Sequence, residues 1–249
     1  MGRRILGGAG LITIAFALTL ISWKPTERKI TSSAFISSDS TDNESFKSIY
    51  DSTGLSESGL NYAVFERAVT GFYNLRNDGK ATTSKAVLSI VDFDQTSTEK
   101  RLWIIDLDKK ELILNTWVAH GEFSGADKAS KFSNVVQSLK SSIGFYITGE
   151  KYYGKHGLSL RLDGMDEDFN SNARKRAIVV HGADYVSQRT INALGRLGRS
   201  QGCPAVPQPL VKTVVNAMEG RTVLFINNSS QFYTSKYLNS EAPEVLASK

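Results

Sequence analysis

Leu102-Trp103-Ile104-Ile105-Asp106-Leu107 and Leu112-Ile113-Leu114-Asn115-Thr116-Trp117-Val118 are two apolar runs joined by a charged turn around Asp108-Lys109-Lys110. Their β-branched and aromatic content favours extended backbone, and so short a connection predicts a hairpin. Similar runs recur at residues 86–91, 144–147, 158–162, 177–180 and 221–226. Helical spacing is rarer. Leu60, Val64, Ala68 and Phe72, with Phe65, Val69 and Leu75 alongside, predict one helix ending at Asn77-Asp78-Gly79, its aromatic residues packing into the core. A second helix is expected over residues 206–218, with prolines at its start. A long polar loop should run from about residue 121 to 142. Many strands and few helices predict a mainly β fold with helical additions (α+β), a sandwich or barrel-like core.

The chain also carries an address. Met1-Gly2-Arg3-Arg4 is a short basic segment, and residues 5–23 hold no charge. This fits a signal peptide, or an uncleaved anchor in the inner membrane with its positive end inside. The bulk of the chain is then exported, to the periplasm or cell envelope. Residues 24–58 read as a polar linker, with thirteen Ser or Thr among the 28 residues from 31 to 58. Phe46, Ile49 and Tyr50 could form one face of a short helix within it. Residues 59–80 follow as a helical lead-in, 81–240 as the main domain and 241–249 as a tail.

At 249 residues and 41% hydrophobic content, one main domain is expected. The net charge is +5, and about +3 without Arg3 and Arg4. That is too weak to imply nucleic acid, while it suits work beside an anionic polymer.

Cys203 is the single cysteine. It cannot form an internal disulfide and is a poor start for a zinc site, so no metal and no cofactor are expected. Unpaired thiols outside the cytosol are liable to oxidation, so this one is either buried and inert or chemically used. His181 stands twenty-two residues earlier at the end of an apolar run, which makes nucleophilic catalysis the sharper reading. A His partner or a helix N-terminus would lower the thiol's ordinary pKa of about 8.5, and both are expected here. Gly202 would let the backbone approach a substrate closely.

Ile178-Val179-Val180-His181-Gly182, followed by Gly195-Arg196-Leu197-Gly198-Arg199-Ser200-Gln201-Gly202-Cys203-Pro204-Ala205-Val206-Pro207, resembles the signature of the L,D-transpeptidases, the YkuD-like cysteine enzymes of bacterial cell walls. Phe132-Ser133-Asn134, Ser141-Ser142-Ile143-Gly144-Phe145-Tyr146 and Gly154-Lys155-His156-Gly157 resemble the branch called the murein L,D-transpeptidase catalytic domain family. The likeness spans about residues 86–226.

The resemblance implies an L,D-transpeptidase-like catalytic core acting on peptidoglycan tetrapeptide stems. Cys203 would attack the meso-diaminopimelate carbonyl, expel D-Ala and form a thioester. An amine of a second stem would then accept the acyl group as a 3→3 cross-link, and carbapenems would trap the thiol. His181 would be the base, oriented by the Gly182 carbonyl. The Gly202 and Cys203 N–H groups would hold the oxyanion. Arg199, Arg196, Ser200, Gln201, Tyr146 and His120 are the candidate substrate contacts. Two departures stand out: the commoner pattern has a second His where this chain has Gln201, and the His–Cys spacing is a few residues longer. Alternatives are an L,D-carboxypeptidase or other murein-peptide hydrolase with the same pair, a non-catalytic peptidoglycan-binding protein on this fold, and an unrelated cysteine peptidase.

Overall fold

The computed structural model describes residues 38–239, so the targeting segment (1–23), the first part of the polar stretch and the tail (241–249) lie outside the described residues. The described residues belong to one compact unit. No helix among them is long and apolar enough to cross a membrane. In chain order the elements are α1 (Ser38–Ser52), α2 (Tyr62–Asn77), β1 (Val87–Asp92), β2 (Leu102–Asp106), β3 (Glu111–Thr116), β4 (Gly144–Gly154), β5 (Gly157–Gly164), β6 (Val179–Ala183), α3 (Gln188–Leu194), β7 (Ala205–Pro207), α4 (Val211–Met218) and β8 (Val223–Asn227).

The eight strands form one sheet in the order β3-β2-β1-β8-β4-β5-β6-β7. Most pairs are antiparallel, β1–β8 and β6–β7 being parallel. The β2–β3 hairpin forms as the sequence predicts, with Leu102 opposite Thr116 and Asp106 opposite Glu111. Beyond β3 the chain crosses to the far end of the sheet. There the Ala119 N–H donates to the Ala205 carbonyl at 2.8 Å and the Ala119 carbonyl accepts the Ala205 N–H at 3.4 Å, which nearly closes the sheet into a barrel.

Both faces of the central strands are buried, and their side chains alternate between two cores. Leu88 and Ile90 of β1, Trp103 and Ile105 of β2, Phe145 of β4 and Phe225 of β8 face α1 and α2. Val87 and Val91, Leu102 and Ile104, Tyr146, and Leu224 and Ile226 turn the other way, toward Val214, Val215 and Met218 of α4. This is why the strands read as continuous apolar runs rather than alternating ones. The polar stretch ends in α1, whose Phe46, Ile49 and Tyr50 are buried against α2 and the sheet. Asn61 caps α2 by accepting the Ala63 N–H at 2.9 Å. Gly71 lets α2 approach the sheet, because a Cβ there would stand 2.0 Å from the Phe145 ring.

One expectation changes, and one helix was not foreseen. Residues 206–218 are not one helix: residues 205–207 are strand β7, a short 3-10 turn covers 208–210, and α4 starts only at Val211. Pro204, Pro207 and Pro209 lack the N–H groups that an earlier helix would need, and Val206 and Pro207 instead pair with Gly182 and Ala183. Helix α3 carries no fully buried residue, and so leaves no apolar periodicity in the sequence.

Candidate active site

Parallel pairing of β6 with β7 brings the two halves of the sequence motif together. His181 lies opposite Ala205, two residues beyond Cys203. Cys203 and His181 line one cavity of about 620 Å³. The His181 side chain is 2% exposed, and its Nδ1 lies 2.9 Å from the Gly182 carbonyl. A carbonyl can only accept, so Nδ1 carries the proton and the neutral ring keeps its Nε2 lone pair for other work. Burial holds the imidazole below its ordinary pKa. The Gly182 contact opposes that shift, while His156 and Lys155 add to it. His181 is therefore neutral at pH 7, the form a base needs.

The half-buried Cys203 thiol faces the Ala177 carbonyl at 3.7 Å. Ala177 holds a left-handed backbone (φ 54°), a strained conformation for a residue with a Cβ. Burial pushes the thiol above its ordinary value, against a hydrogen bond from the Val179 backbone and the positive charges of Arg176 and Lys155. The expected helix N-terminus is absent from this balance, because Cys203 precedes β7 and not a helix.

Gly202 adopts φ +118°, and a Cβ there would stand 2.7 Å from the Lys140 carbonyl, so the position accepts only glycine without distortion. Its N–H, which the sequence reading expected to help hold an oxyanion, instead donates to the Ser200 Oγ at 3.1 Å. Ser200 Oγ in turn donates to the Cys203 carbonyl at 2.6 Å. Ser141 Oγ donates to the Gly202 carbonyl at 3.2 Å and accepts the Gly121 N–H at 3.0 Å. This network leaves the Cys203 N–H without a hydrogen-bond partner among the described residues.

The other sequence candidates divide. Arg199, Ser200 and the exposed Gln201 line the cavity, and Arg199 also donates to the Glu122 and Gly125 carbonyls. Arg196 donates to its neighbour's carbonyl at Leu197 and stands outside the cavity lining. Tyr146 does not reach the cavity. It is fully buried, donates to the Ser142 carbonyl and hydroxyl at 3.0 Å, and burial pushes its pKa well up. His120 is buried behind the site, with Nδ1 accepting from Arg101 at 2.8 Å and Nε2 on the Gly125 side at 3.4 Å. Burial and the Arg101 charge lower it to about 4. Neither lines the cavity, because strand alternation and loop packing turn both into the core.

Of three further neighbours of the pair, sequence reasoning passed over Arg176 and Lys155 and left the role of His156 open. Arg176 donates to the Ser133 carbonyl at 2.6 Å and to Ser142 Oγ at 2.9 Å, and also to the Lys140 carbonyl, which ties the long loop of residues 121–142 to the cavity wall. Every one of these partners is uncharged. Lys155 and His156 come from the tip of the β4–β5 hairpin, and the His156 ring stacks on His181 with centroids 4.4 Å apart. With Lys175 and Arg199, the cavity lining carries four Lys/Arg side chains against one carboxylate, Glu122. No group of three or more His, Cys, Asp or Glu among the described residues could hold a metal ion.

The family of L,D-transpeptidase catalytic domains matches residues 56–227, more than half of the chain. No curated protein matches the sequence. Among solved structures the chain is similar to an L,D-transpeptidase from Mycobacterium smegmatis, at 11% identity and a TM-score of 0.37, over 58% of this chain and 59% of that one. It is also similar to an L,D-transpeptidase from Mycobacterium tuberculosis H37Rv (15% identity, TM-score 0.35, 58% of each chain). A third is the helical cell shape determining protein Pgp2 from Campylobacter jejuni (13% identity, TM-score 0.37, 67% of this chain and 58% of that one). The chain thus covers less than two thirds of the length of these structures.

Proposed function

We propose that this chain, which belongs to the L,D-transpeptidase catalytic domain family, is a cell-envelope L,D-transpeptidase that joins peptidoglycan tetrapeptide stems through a thioester on Cys203. The observation that carries the reading is the single thiol sharing one cavity with a buried imidazole whose Nδ1 is fixed on the Gly182 carbonyl.

The chemistry follows from that arrangement. His181 Nε2 takes the thiol proton as Cys203 Sγ attacks the carbonyl of the meso-diaminopimelate residue. The Cys203 N–H receives the oxyanion. His181 then returns its proton to the leaving D-Ala amine, and the C–N bond breaks to leave the thioester. The side-chain amine of a second stem attacks that thioester, His181 takes the proton it sheds, and the thiol is released with a 3→3 cross-link formed. Arg199, Lys155 and Lys175 give the cavity a positive field that suits the carboxylates of the stems.

Incubation with disaccharide-tetrapeptide, followed by mass spectrometry, tests this. Cross-linked dimer supports transfer, and free tripeptide supports hydrolysis by the same pair. A carbapenem should add covalently to Cys203. Neither product together with no adduct would sink the reading. A Cys203→Ala variant with undiminished function would point to a binding protein on this fold.

A further inference from the structure

We propose that His156 is a positioning residue for His181, a ring platform that holds the imidazole in the plane from which it serves Cys203. The proposal rests on the reading of His181 as the base. It begins from strand register. β4 and β5 stay paired as far as Gly154 opposite Gly157, which leaves only Lys155 and His156 as the connection, with Gly157 at φ +74°. Ser159 of β5 is opposite Tyr152 on one side and His181 on the other. The hairpin tip therefore reaches His181 from three residues away, and the two rings face each other at 4.4 Å with 26° between their planes.

His181 needs such a platform. Its ring hydrogen bond, at Nδ1, fixes a single edge and does not by itself set the tilt of the ring. A stacked ring blocks the tilt on one face. In this chain position 201, next to Gly202-Cys203, is an exposed Gln, and a second imidazole reaches the site from another element.

Stacking also has an electrostatic side. While His156 is charged, protonating His181 sets two imidazolium rings face to face. The other charged or titratable groups around the cavity are Lys155, Lys175, Arg176 and Arg199, the Glu122 carboxylate, the Cys203 thiol and the Tyr152 and Tyr185 phenols. Against this mainly cationic lining His156 reinforces the neutral state of His181, so removing its charge should make His181 easier to protonate.

Two variants of the full chain separate ring from charge. His156→Phe keeps the ring and loses the charge, and His156→Ala loses both. The rate of carbapenem acylation should fall ~10-fold or more in His156→Ala, because small misplacements of a catalytic group are that costly. His156→Phe should keep most of the rate, with the acid limb of its pH profile moved to higher pH. The chain has three histidines, so the His181 ring can be followed directly by NMR titration, and its midpoint should rise in His156→Phe. Thermal unfolding checks that both variants are folded. A wild-type rate in His156→Ala, a folded His156→Phe no faster than His156→Ala, or an unmoved His181 midpoint in His156→Phe would each overturn the proposal. If the wild-type chain neither cross-links stems nor reacts with carbapenem, the function assigned above fails, while the His181 titration still decides this one.

Discussion

The Ser200 hydroxyl donates to the Cys203 carbonyl at 2.6 Å and accepts the Gly202 N–H at 3.1 Å, so one side chain closes the loop that presents the thiol. Ser200→Ala removes both bonds. It should lower stability by about 1–3 kcal/mol, the usual cost when a buried hydrogen-bond partner is lost. It should also slow carbapenem acylation by roughly 10-fold as the loop loosens. Ser200→Thr keeps the hydroxyl and should recover most of the loss. Acylation followed by mass spectrometry, beside thermal unfolding, checks both. A Ser200→Ala variant as fast and as stable as wild type would contradict the role.

Arg176 has only uncharged hydrogen-bond partners, and its charge lowers the thiol pKa that burial raises. Arg176→Gln should therefore leave less thiolate at neutral pH and slow alkylation of Cys203 by iodoacetamide. The alkylation profile of the variant should move toward higher pH, because the thiol without a nearby cation holds its proton longer. A profile moved toward lower pH would show that burial, relieved when the loop is released, outweighs the charge.

His120 titrates at about 4 in the folded chain, against 6.5 for an unburdened imidazole. The folded state thus binds this proton less readily than the unfolded one. Its contribution to stability is complete above pH 6.5, falls as pH drops toward 4, and is constant below that. The loss is on the order of 3 kcal/mol at 1.36 kcal/mol per pH unit, because a charged His120 would be stripped of water by burial and would also face Arg101. Denaturant unfolding across this pH range should show the decline in the wild type, and a flatter one in His120→Asn. Equal slopes would assign the decline to other groups.

Gly71→Ala should destabilise the chain without altering the chemistry of the thiol. The added methyl meets Phe145, itself stacked on Phe225 with centroids 4.5 Å apart, so α2 must lift off the sheet. Overpacking of this kind costs about 1–3 kcal/mol. Chemical denaturation should show that loss, and Cys203 alkylation of the folded variant should match wild type. An unchanged midpoint would mean that Phe145 yields without cost.

The central strands were legible because burial on both faces turns them into unbroken apolar runs, and the His181–Cys203 motif was legible as a pattern of residue types. What the sequence hid depends on register and closure. β7 is three residues long and owes its conformation to Gly182 and Ala183, more than twenty positions away. Arg176 sits in a polar stretch with no periodicity, and only the folded loop shows that its guanidinium reaches Ser133 and Ser142. The sequence left the role of His156 open, and only the pairing of Ser159 with His181 shows its ring stacked on His181. Gly202 and Ser200 stood in plain view, yet only the folded loop shows that the Gly202 N–H is taken by the Ser200 hydroxyl.

The bridge between Ala119 and Ala205 has a consequence for how this chain can meet a peptide. β7 is the last strand in the sheet, and a last strand ordinarily offers its open ladder to any extended segment that comes alongside. Here Ala119 already occupies the ladder beside the thiol loop, so an extended segment cannot add as a strand at that point. On the proposed function, selectivity would come from side chains in the cavity and from its mostly cationic lining. A peptide's backbone alone gives it no purchase there.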